Sequence, residues 1–509
     1  MSRTSSSLKN AAFTVGGAII TMLLQFVNRR LFVNYLTNDY LGLNGLFSNI
    51  LSMLSLSELG VGAAIIFALY KPVAENDKEK VKSLMSMYKR FYTLIGCTII
   101  GMGIALSPFL GVFIKEMPDI PYIRVYYIMY VLDTGLSYFY TYKRSLIICN
   151  RENYISSITT TVTSVGTKAV QLLVLIFTHD YFLFLLTQIV FNRVENIVIS
   201  RIADRKYPYL LEKNVKPLCK EETFHIRKNI FAMLTHKIGN VIVNGTDNLI
   251  ISKILGLSVL GLYSNYNLPI SAVNSIIAKV FQSITSNIGN LVVEKKRNET
   301  ETVFFNIFFV NYWIYGVCSI CFLCLLQPFV SLWLGEEYLL PNSTVLVLVL
   351  VFYLNGMRST GLAFRDATGV FYHDRHKALI ESAVNLVVSI PLTFLFGVTG
   401  VKLGTIISFM ATSFWIEGYV LYKHYFKKPM WGYVLRQLKH VGILVPVSVL
   451  TNYLCAMLES TSLIAFCIKC VICMIIPNMC FFVVFYRTKE FKYYKNILAR
   501  LVKKQTNIL

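Results

Sequence analysis

The chain has 509 residues, of which 55% are hydrophobic and 15% are charged, and its formal net charge is +22. A mean hydropathy of +0.56 excludes a soluble globular protein of this size. Apolar runs that reach the roughly 20 residues needed to cross a bilayer predict a polytopic membrane protein instead. In such a chain the position of each charge matters more than the sum, and no nucleic-acid partner is expected.

Fourteen membrane-spanning helices are predicted from apolar length and scarcity of charge. Helices are required because the bilayer core offers no water to bare backbone groups. In chain order the predicted spans cover 11–36, 42–70, 91–113, 122–142, 153–178, 181–203, 229–254, 259–291, 303–330, 343–364, 378–397, 401–422, 440–457 and 462–486. The predicted fold class is therefore an all-α polytopic membrane protein.

The distribution of basic residues predicts how these helices are oriented across the membrane. Of the 49 Lys and Arg residues, 37 fall in the segments 1–9, 71–90, 143–151, 201–228, 295–297, 365–377, 423–439 and 487–504. The linkers on the opposite side hold almost none, so the positive-inside rule places both termini in the cytoplasm. The basic C-terminal tail is expected either on the anionic inner leaflet or as a disordered segment.

An internal repeat predicts two lobes. Shifted by 219 residues, 9–43 falls without gaps on 228–262 with seven identities, and the first helix falls on the seventh. An even number of spans separates the copies, so the two halves have the same orientation. The predicted divisions are an N-terminal six-helix lobe (1–203), a cytoplasmic linker (204–228), a C-terminal six-helix lobe (229–430), and two extra helices with the basic tail (431–509).

Polar residues mark equivalent faces of the first and seventh helices. These faces carry Thr21, Gln25 and Asn28 in the first helix and Lys237, Asn240, Asn244 and Asp247 in the seventh. Polar groups are costly against lipid, so both faces predict a shared central cavity. Arg29 lies one turn beyond Gln25, whereas Arg30 points about 100° away and is expected to snorkel to the interface.

Ionisable residues within the predicted spans are candidates for function. The cations expected to bind substrate are Arg29, Lys237, Lys279, Arg358 and Arg193, and the acids expected to couple transport to an ion are Asp247, Asp133, Glu195 and Glu58. The excess of cations favours an anionic cargo, and Arg matches phosphate geometry. Two alternatives stay open: Arg29 snorkels to the outer interface, and Arg193 forms a structural pair. Lys168 and Lys469 are assigned no role.

Two residue types allow further interpretation. The 31 tyrosines either offer ring faces and hydroxyls to sugars or form belts at the membrane interface. Two cysteine triplets have metal-like spacing, Cys318, Cys321, Cys324 and Cys467, Cys470, Cys473. Both lie in apolar helices without histidine or carboxylate partners, so we expect packing and no metal site.

Three passages resemble the polysaccharide flippases of the multidrug/oligosaccharidyl-lipid/polysaccharide exporter superfamily. They are the entry "LKN" into the first helix, "YLGLNGLFSNILSMLSLSELGVGAAI" through the second, and "GTDNLIISKILG" followed by "VLGLYSNY". Related lipid II flippases carry cations in their first, second and eighth helices. Arg29 and Lys279 match the first and eighth positions, but the second helix departs from this pattern, because Glu58 is its only ionisable residue.

The resemblance implies two lobes around a V-shaped cavity and alternating access in a bacterial inner membrane. It implies a cargo of sugars linked by pyrophosphate to a polyprenol such as undecaprenol, with membrane lipids, a polysaccharide polymerase and glycosyltransferases as partners. No cofactor is expected apart from an H⁺ or Na⁺ gradient. The alternatives are an ion-coupled drug exporter of the same superfamily, and a membrane glycan-assembly enzyme or scaffold. An enzyme is disfavoured, because the chain has no nucleotide-binding fingerprint or catalytic triad signature.

Overall fold

The computed structural model describes residues 3–58, 61–150, 152–212, 215–219, 223–224, 226, 245–294, 297–368, 370, 374, 376–458 and 462–506. Its longer helices are α1 (Arg3–Tyr35), α2 (Asn38–Leu54), α3 (Val61–Ala74), α4 (Lys78–Leu106), α5 (Ile123–Thr141), α6 (Arg144–Cys149), α7 (Asn153–Phe177), α8 (Tyr181–Lys206), α9 (Leu257–Glu294), α10 (Arg297–Trp333), α11 (Asn342–Thr368), α12 (Lys377–Phe396), α13 (Val398–Ala411), α14 (Ser413–Val420), α15 (Trp431–Ala456), α16 (Leu463–Phe485) and α17 (Lys489–Thr506). Within these described ranges all regular structure is helical.

The predicted all-α membrane fold is confirmed. Eight of the described helices are long and apolar enough to cross a membrane, and thirteen of the predicted spans overlap described helices, with starts that differ by up to 13 residues, as in 91–113 against Lys78–Leu106. The remaining predicted span, 229–254, lies mostly outside the described residues. Two predicted spans are interrupted: the helix in 42–70 gives way to a 3₁₀ turn at Ser55–Glu58, and that in 401–422 breaks at Thr412 between α13 and α14.

The chain divides into two compact units, Met1–Ser264 and Asn265–Leu509. In the first unit α1 packs on α7, α4 on α5, and α8 on both α5 and α7. In the second unit α10 packs against α11, α15 and α16 around an aromatic core that includes Phe304, Phe308 and Tyr312. The lobe boundaries drawn from the sequence stay a prediction.

Two glycines allow close backbone approach between α2 and the start of α9. A Cβ on Gly42 would lie 2.1 Å from the carbonyl oxygen of Leu257, and a Cβ on Gly261 would lie 2.3 Å from that of Asn38. Asn38 and Leu257 are equivalent under the 219-residue shift, as are Gly42 and Gly261. The same close approach is therefore made by equivalent residues of the two copies of the repeated segment.

We predict that Gly42→Ala and Gly261→Ala each destabilise the protein. Backbone atoms must move to admit the new methyl group, and overpacking of this kind costs about 1–3 kcal/mol. The measurement is the thermal midpoint of purified protein in nanodiscs. Gly101→Ala is the control, because a Cβ there meets nothing within 4 Å. Equal midpoints for all three variants would show that the close contact is not needed for stability.

Candidate functional site

A polar cavity of about 220 Å³ lies inside the first unit. We call it the Arg29 cavity. Its lining residues come from α1, α2, α5, α7 and α8, and they are Gln25, Asn28, Arg29, Phe32, Leu41, Asn44, Ser48, Tyr130, Lys168, Phe184 and Gln188. This described lining contains two cations and no carboxylate.

Helix α1 supplies the first cation of this cavity. Gln25, Asn28, Arg29 and Phe32 stand at i, i+3, i+4 and i+7, which is one helical face. The Arg29 Nη1 donates to the hydroxyl oxygen of Ser264 at 3.0 Å. The structure thus brings together Gln25, Asn28 and Arg29, the three residues that the sequence assigned to one face, while the neighbouring Arg30 is exposed.

Lys168 on α7 supplies the second cation. Its Nζ donates to Gln171 Oε1 at 3.1 Å, and the buried Asn28 Nδ2 donates to the same oxygen at 3.2 Å. Among the described residues neither Lys168 nor Arg29 forms an ion pair with a carboxylate. Their positive charge is therefore held by neutral oxygen acceptors, and the cavity favours an anion.

Asn44 of α2 connects the cavity to a cluster of tyrosines. Its Oδ1 accepts hydrogen bonds from the hydroxyls of both Tyr130 and Tyr181. The Tyr181 ring packs edge-on against Tyr126 with centroids 4.9 Å apart, and it lies 6.0 Å from Phe32 of α1. One wall of the cavity is thus fixed by buried aromatic packing.

The other cations predicted from the sequence have different surroundings. Arg193 pairs with Asp133 at 2.9 Å. Arg358 pairs with Glu417 at 2.7 Å, and Glu417 also pairs with Lys377. Acids of the same unit therefore balance both arginines, and their role as substrate ligands stays a prediction.

Several predicted residues lie outside this cavity or outside the described ranges. Lys279 is half-buried in α9, in the second unit. Asp247 is 5% exposed, near the start of a described segment of the first unit. Lys237, Asn240 and Asn244 fall outside the described residues, so the seventh-helix face is described only through Asp247.

The three other candidate coupling acids differ in their partners. Asp133 accepts from Arg193 and from Asn192 Nδ2 at 2.8 Å. Glu195 pairs with Arg144 at 2.6 Å and accepts from two threonine hydroxyls.

Among the described residues, the donors to Glu58 are tyrosine hydroxyls. Glu58 accepts from Tyr92 at 3.0 Å and from Tyr138 at 2.6 Å. Its carboxylate lines a pocket of about 510 Å³, and no cation pairs with it in the described part of the chain.

Lys168 and Asn44 are the site residues that sequence reasoning missed. Lys168 was left without a role because a single lysine in an apolar span also fits snorkelling. The available signal was its neighbourhood on α7, where Thr160, Thr163, Thr167 and Gln171 follow one helical face. Asn44 lies in the first helical turn of the predicted second span, and no pattern in the sequence marks it as a site residue.

Three buried thiols from α10, α15 and α16 group closely enough to share a metal ion. The Sγ atoms of Cys324, Cys455 and Cys473 all lie within 4.8 Å of one another. The Cys455 and Cys473 sulfurs are 3.6 Å apart, which is an ordinary packing distance. The expectation that these cysteines pack as small apolar side chains stays a prediction.

The chain is similar to known membrane transporters. A family model described as "Polysaccharide biosynthesis protein" matches residues 7–285. The structure of the lipid II flippase MurJ, in an inward closed conformation, matches with a TM-score of 0.65 at 13% identity, covering 94% of this chain and 99% of that one. No curated protein sequence matches significantly.

Two further structures share the fold. The MATE transporter VcmN of Vibrio cholerae matches with a TM-score of 0.57 at 15% identity, covering 84% of this chain and 99% of that one. A MOP superfamily transporter from Pyrococcus furiosus, described as having a binding pocket of reverse polarity, matches at 0.52 with 14% identity, covering 83% and 96%. At these identities the likeness shows the fold alone.

Proposed function

The chain belongs to the polysaccharide biosynthesis protein family, and from this premise we propose that it is a flippase for a lipid-linked oligosaccharide. The cargo is a repeat unit joined through pyrophosphate to a polyprenol of the undecaprenol type. It crosses the bacterial inner membrane by alternating access and is consumed in the synthesis of a surface polysaccharide. In this scheme glycosyltransferases supply the cargo before transport, and a polymerase uses it after transport.

The observation that carries this proposal is the pair of cations in the Arg29 cavity. Charged side chains inside a membrane are costly unless something balances them. Within the described ranges the partners of Arg29 and Lys168 are neutral oxygens, and the one hydrogen bond that Arg29 forms there, to Ser264, leaves most of its guanidinium donors available. A pyrophosphate would balance these two positive charges, because Arg binds phosphate oxygens in a bidentate manner while Lys supplies a point charge.

The same cavity disfavours export of cationic drugs. A cationic cargo would require carboxylates in the lining, where instead Arg29 and Lys168 are found. A glycan-assembly scaffold is the other alternative, and it would tolerate neutralisation of both cations.

We further propose that protons drive transport and that Glu58 carries them. A coupling acid must gain and lose a proton during the cycle. Asp133 and Glu195 form ion pairs with Arg193 and Arg144, and uptake of a proton by either acid would have to break its ion pair. The hydroxyls of Tyr92 and Tyr138 can bind Glu58 in either form, since a hydroxyl can donate to a carboxylate or accept from a protonated acid. The other titratable groups that line the Glu58 pocket are Tyr88 and Arg144, and Arg144 is paired with Glu195.

We predict that Arg29→Ala reduces export about 10- to 100-fold, because hydrogen bonds to charged groups are worth about 1.5–3 kcal/mol. Arg29→Lys should retain part of the activity, since Lys keeps the charge but loses the bidentate contact. Lys168→Met should also impair export. The measurement is the accumulation of lipid-linked repeat units on the inner leaflet at matched protein levels.

The matched control for this test is Arg30→Ala, which removes an exposed arginine from the adjacent position. We expect a mild effect, because a snorkelling side chain contributes little specificity. Normal export by both Arg29→Ala and Lys168→Met would refute the anionic cavity and favour a scaffold.

A second prediction concerns the coupling acid. Glu58→Gln mimics the protonated form and should abolish cargo-dependent proton flux in proteoliposomes. Tyr138→Phe should reduce this flux, because the Glu58 carboxyl group loses the hydroxyl that holds it in place. Transport by Glu58→Gln that still responds to an imposed pH gradient would exclude this residue as the proton carrier.

A third prediction tests the orientation that places both termini in the cytoplasm. Cys219 is exposed in a basic segment that the prediction places in the cytoplasm, and Glu337 is exposed in an acidic turn that it places outside. In Glu337→Cys cells, a membrane-impermeant maleimide should label position 337 in intact cells and Cys219 only after permeabilisation. Peptide mass spectrometry identifies the labelled cysteine. The reverse order of labelling would invert the topology.

A further inference from the structure

A second pocket, of about 580 Å³, lies in the first unit where α2, α5 and α8 begin. We call it the tyrosine pocket. Six of its lining residues carry the argument: Tyr40, Tyr122, Tyr126, His179, Asp180 and Tyr181. Pockets of a few hundred Å³ are the usual size for small organic ligands.

The chemistry of the tyrosine pocket differs from that of the Arg29 cavity. Its described lining holds a carboxylate, an imidazole and tyrosine rings, and it includes no lysine or arginine. Such a site has no lysine or arginine side chain to neutralise the negative charge of a phosphate. Ring faces pack against the C–H faces of a sugar, while Asp180 and the tyrosine hydroxyls accept hydrogen bonds from sugar hydroxyls.

The rings are not arranged as a lipid-facing interface belt. Tyr126 and Tyr181 are buried, and Tyr40 packs on Tyr181 with centroids 4.6 Å apart. Belt tyrosines instead point outward at the headgroup level. The inner wall of the pocket is therefore a packed aromatic surface inside the protein.

The rim of the pocket is held in a fixed conformation. Tyr122 and His179 adopt left-handed backbone conformations with φ of 61° and 53°. Such strain in residues other than glycine persists only where the surroundings impose it. The Asp180 carboxylate is fixed as well, because it accepts from the backbone N–H of Phe182 at 2.6 Å. Tyr122 remains 74% exposed, so its ring is free to contact a ligand.

Tyr181 belongs to both sites. Its ring lines the tyrosine pocket, and its hydroxyl donates to Asn44, which lines the Arg29 cavity. In a polyprenyl-pyrophosphate glycan the first sugar is bonded directly to the pyrophosphate. We propose that the tyrosine pocket binds sugar residues of the cargo next to a pyrophosphate held by Arg29 and Lys168. This inference rests on the proposed function and adds the part of the cargo that the Arg29 cavity does not recognise.

The test uses the full chain in nanodiscs and two probes that separate the halves of the cargo. One probe is geranyl pyrophosphate, which carries no sugar. The other is the free oligosaccharide released by mild acid from the lipid-linked intermediates of the host. Binding of each is measured by saturation-transfer NMR and by titration.

The variants are chosen to keep the local backbone. Tyr122→Asn retains a residue that tolerates the left-handed region, and Asp180→Asn retains a good helix N-cap. Tyr70→Ala removes another exposed tyrosine, which is 52% exposed in α3 and does not line the pocket, and is the matched control.

We expect wild type and Tyr70→Ala to bind the oligosaccharide equally, with at least about tenfold weaker binding for Tyr122→Asn combined with Asp180→Asn. Geranyl pyrophosphate should bind this double variant normally and Arg29→Ala poorly. Three results would overturn the proposal. The wild type does not bind the oligosaccharide, the double variant binds it as tightly as the wild type does, or glycerol binds the wild type as tightly as the oligosaccharide does. If the oligosaccharide binds as expected while geranyl pyrophosphate ignores Arg29, the tyrosine pocket stands and the pyrophosphate assignment fails.

Discussion

Inside a bilayer a polar side chain has no water, so its partners must be other groups of the protein or a ligand. In the described part of the chain, Arg193 satisfies that constraint with Asp133 and Arg358 satisfies it with Glu417, each an acid of the same unit. Arg29 and Lys168 have hydroxyl and amide oxygens as partners there instead. The described cations therefore fall into two groups, those paired with an acid and those bound by neutral oxygens.

The positions of the membrane helices could be predicted well because length and apolarity are local properties of the sequence. The face of α1 that carries Gln25, Asn28 and Arg29 was likewise readable, since helical periodicity fixes which residues stand side by side. The partners across helices were not readable. Nothing local distinguishes Arg193, which has an acid partner, from Lys168, which has none among the described residues, because that difference depends on which helices pack together.

The tyrosine pocket also could not be predicted from the sequence. Its residues come from the beginnings of α2, α5 and α8 and from the turn that precedes α8. Each residue is by itself compatible with an interface belt. Only the packing of Tyr40, Tyr126 and Tyr181 against one another gives them a common role. The 3₁₀ turn at Ser55–Glu58 was also missed, because serines and one glutamate within a long apolar run are compatible with a continuous helix.

Gly42 faces the backbone carbonyl of Leu257, and Gly261 faces that of Asn38. A side chain can rotate away from a new methyl group, whereas a backbone carbonyl moves only with its helix. At both positions, therefore, any residue larger than glycine displaces α2 relative to the start of α9. The two positions are equivalent under the 219-residue shift, so substitution is restricted in both copies of the repeated segment for the same physical reason.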